Sequence, residues 1–272
     1  MYDAKARIEA GAATHVGRVR AQNEDNYLVA TRRGLWAVAD GMGGHEAGEI
    51  ASRAVVEELA AIAIPASASE LLANCEQHIV NANSQLKKIG DERGAVIGTT
   101  VAVLLIFDGH YAAVWSGDSR IYRVRARRID QISVDHTEVQ ELISEGKLTA
   151  EEARAWPRRN VITRAIGVSD DPELEIKGGA LAPGDIFVIC SDGLTAHVED
   201  REILALASAH PPQKACDLLV DLTLDRGAVD NVTVVAVRFD PATAKTVASS
   251  RLATIPPWGG QGGGTQVESE AE

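Results

Sequence analysis

The stretch Val38-Ala39-Asp40-Gly41-Met42-Gly43-Gly44-His45 constrains this chain more than any other. An apolar run, Leu35 to Ala39, leads into a carboxylate, three glycines follow within four residues, and a helical pattern then begins. This predicts a strand that ends by pushing an aspartate out of a sheet, with glycines that turn the backbone and leave a bare carbonyl beside it. A carboxylate next to a main-chain oxygen suits a hard cation such as Mg²⁺ or Mn²⁺. Asp-Gly is also a turn dipeptide in its own right, so the reading depends on what else comes near it.

The same device recurs. Gly117-Asp118, Asp192-Gly193 and Asp230-Asn231 also sit where a strand ends or begins, and Glu24-Asp25 adds two more carboxylates. Several carboxylates gathered at one end of a sheet would repel one another unless cations lay between them. One of them could then bridge two ions about 3.5–4 Å apart. No cysteine or histidine cluster competes, which disfavours zinc.

Between these points the periodicity alternates. Strands are expected at Arg7 to Thr14, Asn26 to Thr31, Leu35 to Ala39, Thr99 to Phe107, Tyr111 to Trp115, Ile121 to Val124, Leu174 to Gly178, Asp185 to Cys190 and Val232 to Phe239. Most of the links are of hairpin length, which points to largely antiparallel sheet. Apolar stripes of helical period run over 47–62 and 72–89, separated by Pro65-Ala66-Ser67, and predict an antiparallel helix pair. Further helices are expected at Thr137 to Glu145, Thr149 to Ala155, Asp200 to Ala207 and Pro212 to Leu224.

Two segments stand apart. Residues 135–164 are charged, carry little apolar periodicity, and read as a flap inserted between strands. Residues 241–272 contain Pro256-Pro257 and a glycine-rich run, and read as a disordered or loosely attached tail. Trp258 in that tail reads as an exposed aromatic. Composition narrows the partners. The 272-residue chain carries a net charge of −12, which argues against nucleic acid. Its longest apolar run is too short to span a bilayer. Cys75, Cys190 and Cys216 fit neither a zinc spacing nor a disulfide framework, so a reducing cytoplasm is expected, with each thiol buried.

Seven motifs stand in one order: Arg20-x-x-Asn23-Glu24-Asp25, Asp40-Gly41-Met42-Gly43-Gly44, Gly98-Thr99-Thr100, Gly117-Asp118-Ser119-Arg120, Thr163-Arg164-Ala165-Ile166-Gly167, Ser191-Asp192-Gly193-Leu194 and Asp230-Asn231-Val232-Thr233. In this the chain resembles the metal-dependent serine/threonine protein phosphatases of type 2C, in their compact bacterial form, over roughly residues 8–239. The resemblance implies an α+β fold, a four-layer α-β-β-α sandwich of two antiparallel sheets flanked by helix pairs, with residues 1–240 as the catalytic domain. It implies two tightly bound Mn²⁺ or Mg²⁺ ions and a third, weaker one. Asp40 would bridge the two ions, Asp192 and Asp230 would complete one site, and the Gly41 carbonyl and Glu24 would serve the other. Asp25 would orient metal-bound water, Asp118 would share the third ion with Asp192, and Arg20 would grip the substrate phosphate, since guanidinium matches phosphate oxygens.

The expected reaction is direct hydrolysis of phosphoserine or phosphothreonine by a metal-bridging hydroxide, in a monomer that opposes a cognate serine/threonine kinase. Met42 stands where many eukaryotic members carry histidine. A thioether cannot donate a proton, so metal-bound water, or else His45, must protonate the leaving group. The arginines of the flap, Arg158 and Arg159 above all, are expected to steer phosphorylated segments. Two other readings stay open at this point: a non-catalytic binding module on the same fold, and a two-metal hydrolase of small phosphate esters.

Overall fold

The computed structural model describes residues 6–43, 47–158 and 160–241. In chain order, β1 (Ala6–His15), β2 (Asp25–Ala30) and β3 (Leu35–Met42) lead into helices α1 (Ala47–Ala61) and α2 (Ala68–Arg93). Then come β4 (Gly98–Thr99), β5 (Val101–Phe107), β6 (His110–Ser116), β7 (Arg120–Arg125) and β8 (Arg128–Gln131). Short helices α3 (Glu138–Ser144) and α4 (Ala150–Arg154) precede β9 (Glu175–Ala180) and β10 (Asp185–Cys190). The chain closes with α5 (Asp192–Thr195), α6 (Asp200–Ala209), α7 (Pro212–Asp225) and β11 (Val232–Pro241).

Strand alternation decides how these elements stack. Side chains of successive residues point to opposite faces, and in β3 both faces are apolar. Leu35, Ala37 and Ala39 pack with α1 and α2, whereas Trp36 and Val38 pack toward β10 and β11. Likewise Phe187 and Ile189 of β10 join Trp36, while Val188 and Cys190 pack with α6 and α7. Strands buried on both faces have to lie inside a four-layer stack. The two sheets run β1-β11-β10-β7-β8 and β2-β3-β5-β6-β9, with β4 paired to β3. Every pairing is antiparallel. The expected α-β-β-α sandwich is therefore the observed one.

Local signals set the helix limits. Ser67 caps α2, its side chain accepting from the Glu70 amide, and Gly94 ends it in a left-handed conformation (φ 62°). His78, on the edge of the α2 stripe, lies 2.8 Å from Glu58 of α1 and ties the helix pair together. All three cysteines are buried, and burial pushes the Cys190 thiol up to about 12, which leaves it unreactive.

Three elements differ from expectation. The strand expected from Thr99 is split, because Thr99 pairs through its backbone with Ile166 and through β4 with Gly41, before β5 begins at Val101. β8 was not foreseen, since Arg-Ile-Asp-Gln shows no apolar alternation and lies at a sheet edge. The one-turn helix α5 occupies the Asp192-Gly193 expected as a turn. Residues 135–164 stand outside both sheets, contain α3 and α4, and are closed at their base by a Thr137–Ile162 bridge. His45, Arg159, Trp258 and the tail from 242 onward lie outside the described residues. Among the described residues no helix is long and apolar enough to cross a membrane.

One buried side chain holds α2 to the segment that braces β4. Asn83 accepts from the Gly167 amide at 2.6 Å and donates to the Ser169 and Asp170 carbonyls at 2.9 and 3.3 Å. Asn83→Ala leaves the buried Gly167 amide unsatisfied and releases the carbonyls of Ser169 and Asp170. The expected loss of stability is about 2–4 kcal/mol, read from urea denaturation midpoints. A loss well under about 1 kcal/mol would mean that water replaces the amide.

Candidate metal centre

The site forms where β2 and β3 reach the edge of their sheet. The β2–β3 register sets Asp25 directly opposite Asp40. The Asp40 backbone is clamped by its neighbours: its amide donates to Thr100 Oγ1 at 3.1 Å, and its carbonyl accepts from the Thr100 amide at 2.8 Å and from Thr99 Oγ1 at 2.9 Å. The two threonines thus fix the strand end while the carboxylate projects outward. Gly41 is required for a second reason, because a Cβ there would lie 2.0 Å from the Gly48 carbonyl oxygen.

Asp25 is buried beneath Asp40. Its Oδ2 accepts from Ser191 Oγ at 2.8 Å, Ser191 Oγ in turn accepts from the Thr233 amide at 3.0 Å, and Oδ1 has no partner. Asn231 organises the loop that carries Arg20 and Glu24. Its Nδ2 donates to the Val16 and Gln22 carbonyls, both at 2.9 Å, and its Oδ1 accepts from the Glu24 amide at 2.8 Å. The Glu24 carboxylate lies against Gly48 in the first turn of α1, where the helix dipole favours a negative charge. Arg20 reaches Asp230, Nη2 to Oδ2 at 2.7 Å.

Asp192 begins α5, and its carboxylate lies within hydrogen-bonding reach of Asp40. Asp118 follows Gly117, whose left-handed backbone (φ 109°) presses against the Thr100 side chain. That loop is held by His136, which accepts from the Gly117 amide on Nδ1 at 3.1 Å and returns its own amide to the Gly117 carbonyl at 2.9 Å. The other ring nitrogen of His136 lies 3.2 Å from Glu175, so the base of the flap and the Asp118 loop share one anchor.

The electrostatics follow from this crowding. Burial, and then Asp25, Asp192, Asp118 and Asp230, push the Asp40 carboxyl well above its ordinary range. Burial raises Asp25 to about 7, and burial together with Asp192 and Asp135 raises Asp118 to about 7. Asp192 and Glu24 are also raised, chiefly by desolvation. Among the described residues no three of these side chains close on one point at ligand spacing, as expected for like charges with no cation between them. The donor set nevertheless fits hard divalent cations. It is all oxygen, it is partly desolvated, and it keeps an unpartnered buried oxygen on Asp25.

The fold therefore brings together Arg20, Glu24, Asp25, Asp40, Gly41, Asp118, Asp192 and Asp230. It does not bring the flap arginine Arg158 to the centre, since Arg158 pairs with Glu138 at 2.8 Å and is absent from the walls of the adjoining cleft. Arg159 is outside the described residues. Sequence reasoning assigned no role to Ser191, Thr233, Asn231 or His136. The available signal was polar residues next to, or within, apolar strand runs, such as Thr233 in the run from Val232 to Val237.

The raised carboxyls give a pH signature. Asp25 and Asp118 titrate near 7 in the folded chain and near 4 in the unfolded one. Between these values the folded chain holds protons that the unfolded chain has lost, so stability falls as pH rises. The metal-free protein should show a Tm that drops between pH 5 and pH 7, and saturating Mn²⁺ should flatten that drop. A metal-free Tm that climbs over this interval would contradict the crowding.

Comparison with known proteins agrees with the geometry. A family model described as Protein phosphatase 2C matches residues 14–216. The chain is 38% identical over 224 residues to the serine/threonine protein phosphatase PstP of Mycobacterium tuberculosis, covering 80% of this chain but only 42% of that protein. It is 33% identical over 246 residues to the protein phosphatase PhpP of Streptococcus pneumoniae, covering 88% of this chain and 100% of that one. The crystal structure of the PstP catalytic domain with two manganese ions superposes with a TM-score of 0.77 at 35% identity, over 86% of this chain and 99% of that one. With sequence, sheet order and the gathered aspartates in agreement, the chain belongs to the protein phosphatase 2C family.

Proposed function

We propose that this protein is a Mn²⁺- or Mg²⁺-dependent phosphatase that hydrolyses phosphoserine and phosphothreonine in proteins. The observation that carries the reading is the gathering of Asp25 and Asp40 from one sheet, Asp192 and Asp230 from strand ends of the other, and Asp118 between them, beside Arg20. The names of its relatives, serine/threonine phosphatases among them, support the choice of substrate.

Asp40, Asp192, Asp230, Glu24 and the Gly41 carbonyl would hold two cations, and Asp118 with Asp192 a third. Bound there, the cations supply Lewis-acid charge and lower the pKa of water at the site. The protein's own groups do the rest. Arg20 carries the one guanidinium that the structure places against Asp230, and it would turn to the phosphate oxygens once a cation claims that carboxylate. Asp25, locked by Ser191, would accept a hydrogen bond from water through its free Oδ1 and orient it. Met42 offers no proton, so the leaving oxygen takes one from water. Residues 1–240 would form the catalytic domain, with 135–164 as its flap, acting as a cytoplasmic monomer opposite a serine/threonine kinase.

The test uses a phosphothreonine peptide and a nucleotide as alternative substrates. Chelation should abolish peptide hydrolysis and Mn²⁺ should restore it. Asp40→Asn should lower turnover by about a hundredfold or more while the chain stays folded. Full turnover in protein shown to be metal-free by elemental analysis, or a clear preference for the nucleotide, would overturn the proposal.

A further inference from the structure

A cleft of about 830 Å³ opens beside Asp118 and Asp192 and runs between the flap and the start of α6. Its size lies within the range of ligand sites. The flap contributes Thr137, Val139, Gln140, Ala153 and Asn160 to its wall, and the opposite wall is the segment from Thr195 to Asp200.

The charge of this cleft has one sign. Asp118, Asp135, Asp192, Glu199 and Asp200 line it, and among the described lining residues Arg120 is the only lysine or arginine. That arginine is already engaged, since its guanidinium holds Asp135 through Nε and Nη2 at 2.6–3.0 Å. Two described arginines of the flap are spent elsewhere. Arg158 pairs with Glu138, and Arg164 pairs with Glu173 and Glu175. Asp118 is 8% exposed, has no side-chain partner on any other described residue, and faces into the cleft. Cations at the centre would neutralise Asp118 and Asp192 at the inner end. The outer end would stay acidic, because Asp200 has no ion-pair partner among the described residues, although Glu199 pairs with Arg201 at 2.8 Å and accepts from the Glu202 amide.

Resting on the phosphatase reading above, we infer that this cleft holds the polypeptide flanking the phosphorylated residue and selects segments that carry lysine or arginine on that flank. The phosphate would sit at the inner end, against the cations and Arg20. The flanking chain would leave along the cleft past Glu199 and Asp200. A basic side chain there meets the unpaired Asp200 carboxylate, and an acidic one meets repulsion. Charge selection would thus come from the wall of α6, while Arg158 and Arg164 close their own ion pairs.

The experiment compares two phosphothreonine peptides of equal length, with two lysines or two glutamates on one flank, and repeats the pair with the charges on the other flank. With Mn²⁺ present, kcat/KM should favour the lysine peptide by roughly three- to tenfold for one of the two flanks, mainly through KM, and added salt should shrink the ratio. Asp200→Lys should bring the ratio to one or invert it. Asp200→Asn should give an intermediate ratio, and Tm should report that both variants are folded. Aryl phosphate turnover, measured alongside, reports the centre itself. Normal aryl phosphate turnover with equal kcat/KM on all peptides, or a ratio that survives Asp200→Lys, overturns the cleft assignment alone. Failure to hydrolyse aryl phosphate and every peptide would overturn the phosphatase reading, and this inference with it.

Discussion

Mutual repulsion among Asp25, Asp40, Asp118, Asp192 and Asp230 is the constraint that the rest of the molecule must meet. Burial raises the proton affinity of Asp25, Asp40, Asp118 and Asp192, and the negative charge of their neighbours raises it further. A flexible scaffold would relieve the strain by moving apart. Here three of them are fixed through their backbone or through neutral hydrogen-bond donors, while Asp230 meets Arg20. Asp40 is held by Thr99 and Thr100, Asp25 by Ser191, and the Asp118 loop by His136. None of these donors cancels the negative charge, so the site keeps its affinity for cations.

The rigidity beneath it comes from the two central layers. Trp36, Phe187 and Tyr122 are fully buried, and β3, β5, β10 and β11 are apolar on both faces. Large side chains buried this way contribute about 1.5–3 kcal/mol each. The strand ends are therefore rigid platforms, and functional groups placed there inherit that precision. Asn231 extends the platform to the loop after β1, which carries Arg20 and Glu24 but little apolar anchorage of its own.

The outer parts follow a different logic. α3 buries no side chain, and the flap is held by capping bonds and ion pairs such as Arg158–Glu138. Arg158 and Arg164 are spent inside the flap and at its base, so the described wall of the cleft beside the centre carries the carboxylates of α6 and Asp135.

What could be read from the chain alone was whatever depends on local chemistry. The strand-to-Asp-Gly turns, the helical stripes of α1, α2, α6 and α7, the antiparallel hairpins and the oxygen-only donor set are each written in short windows. The ordered motifs carried the family and, through it, the layer order. Tertiary structure decided the rest, because it depends on contacts between distant residues. It set Asp25 opposite Asp40, made Asn231 the anchor of a loop more than two hundred positions earlier, and joined the Gly117 loop to the flap through His136. It split the strand expected at Thr99 through pairing with Ile166, and it turned Arg158 and Arg164 onto nearby glutamates. A hydrogen bond or ion pair leaves no periodic trace in a sequence, since either partner alone reads as an ordinary polar surface residue.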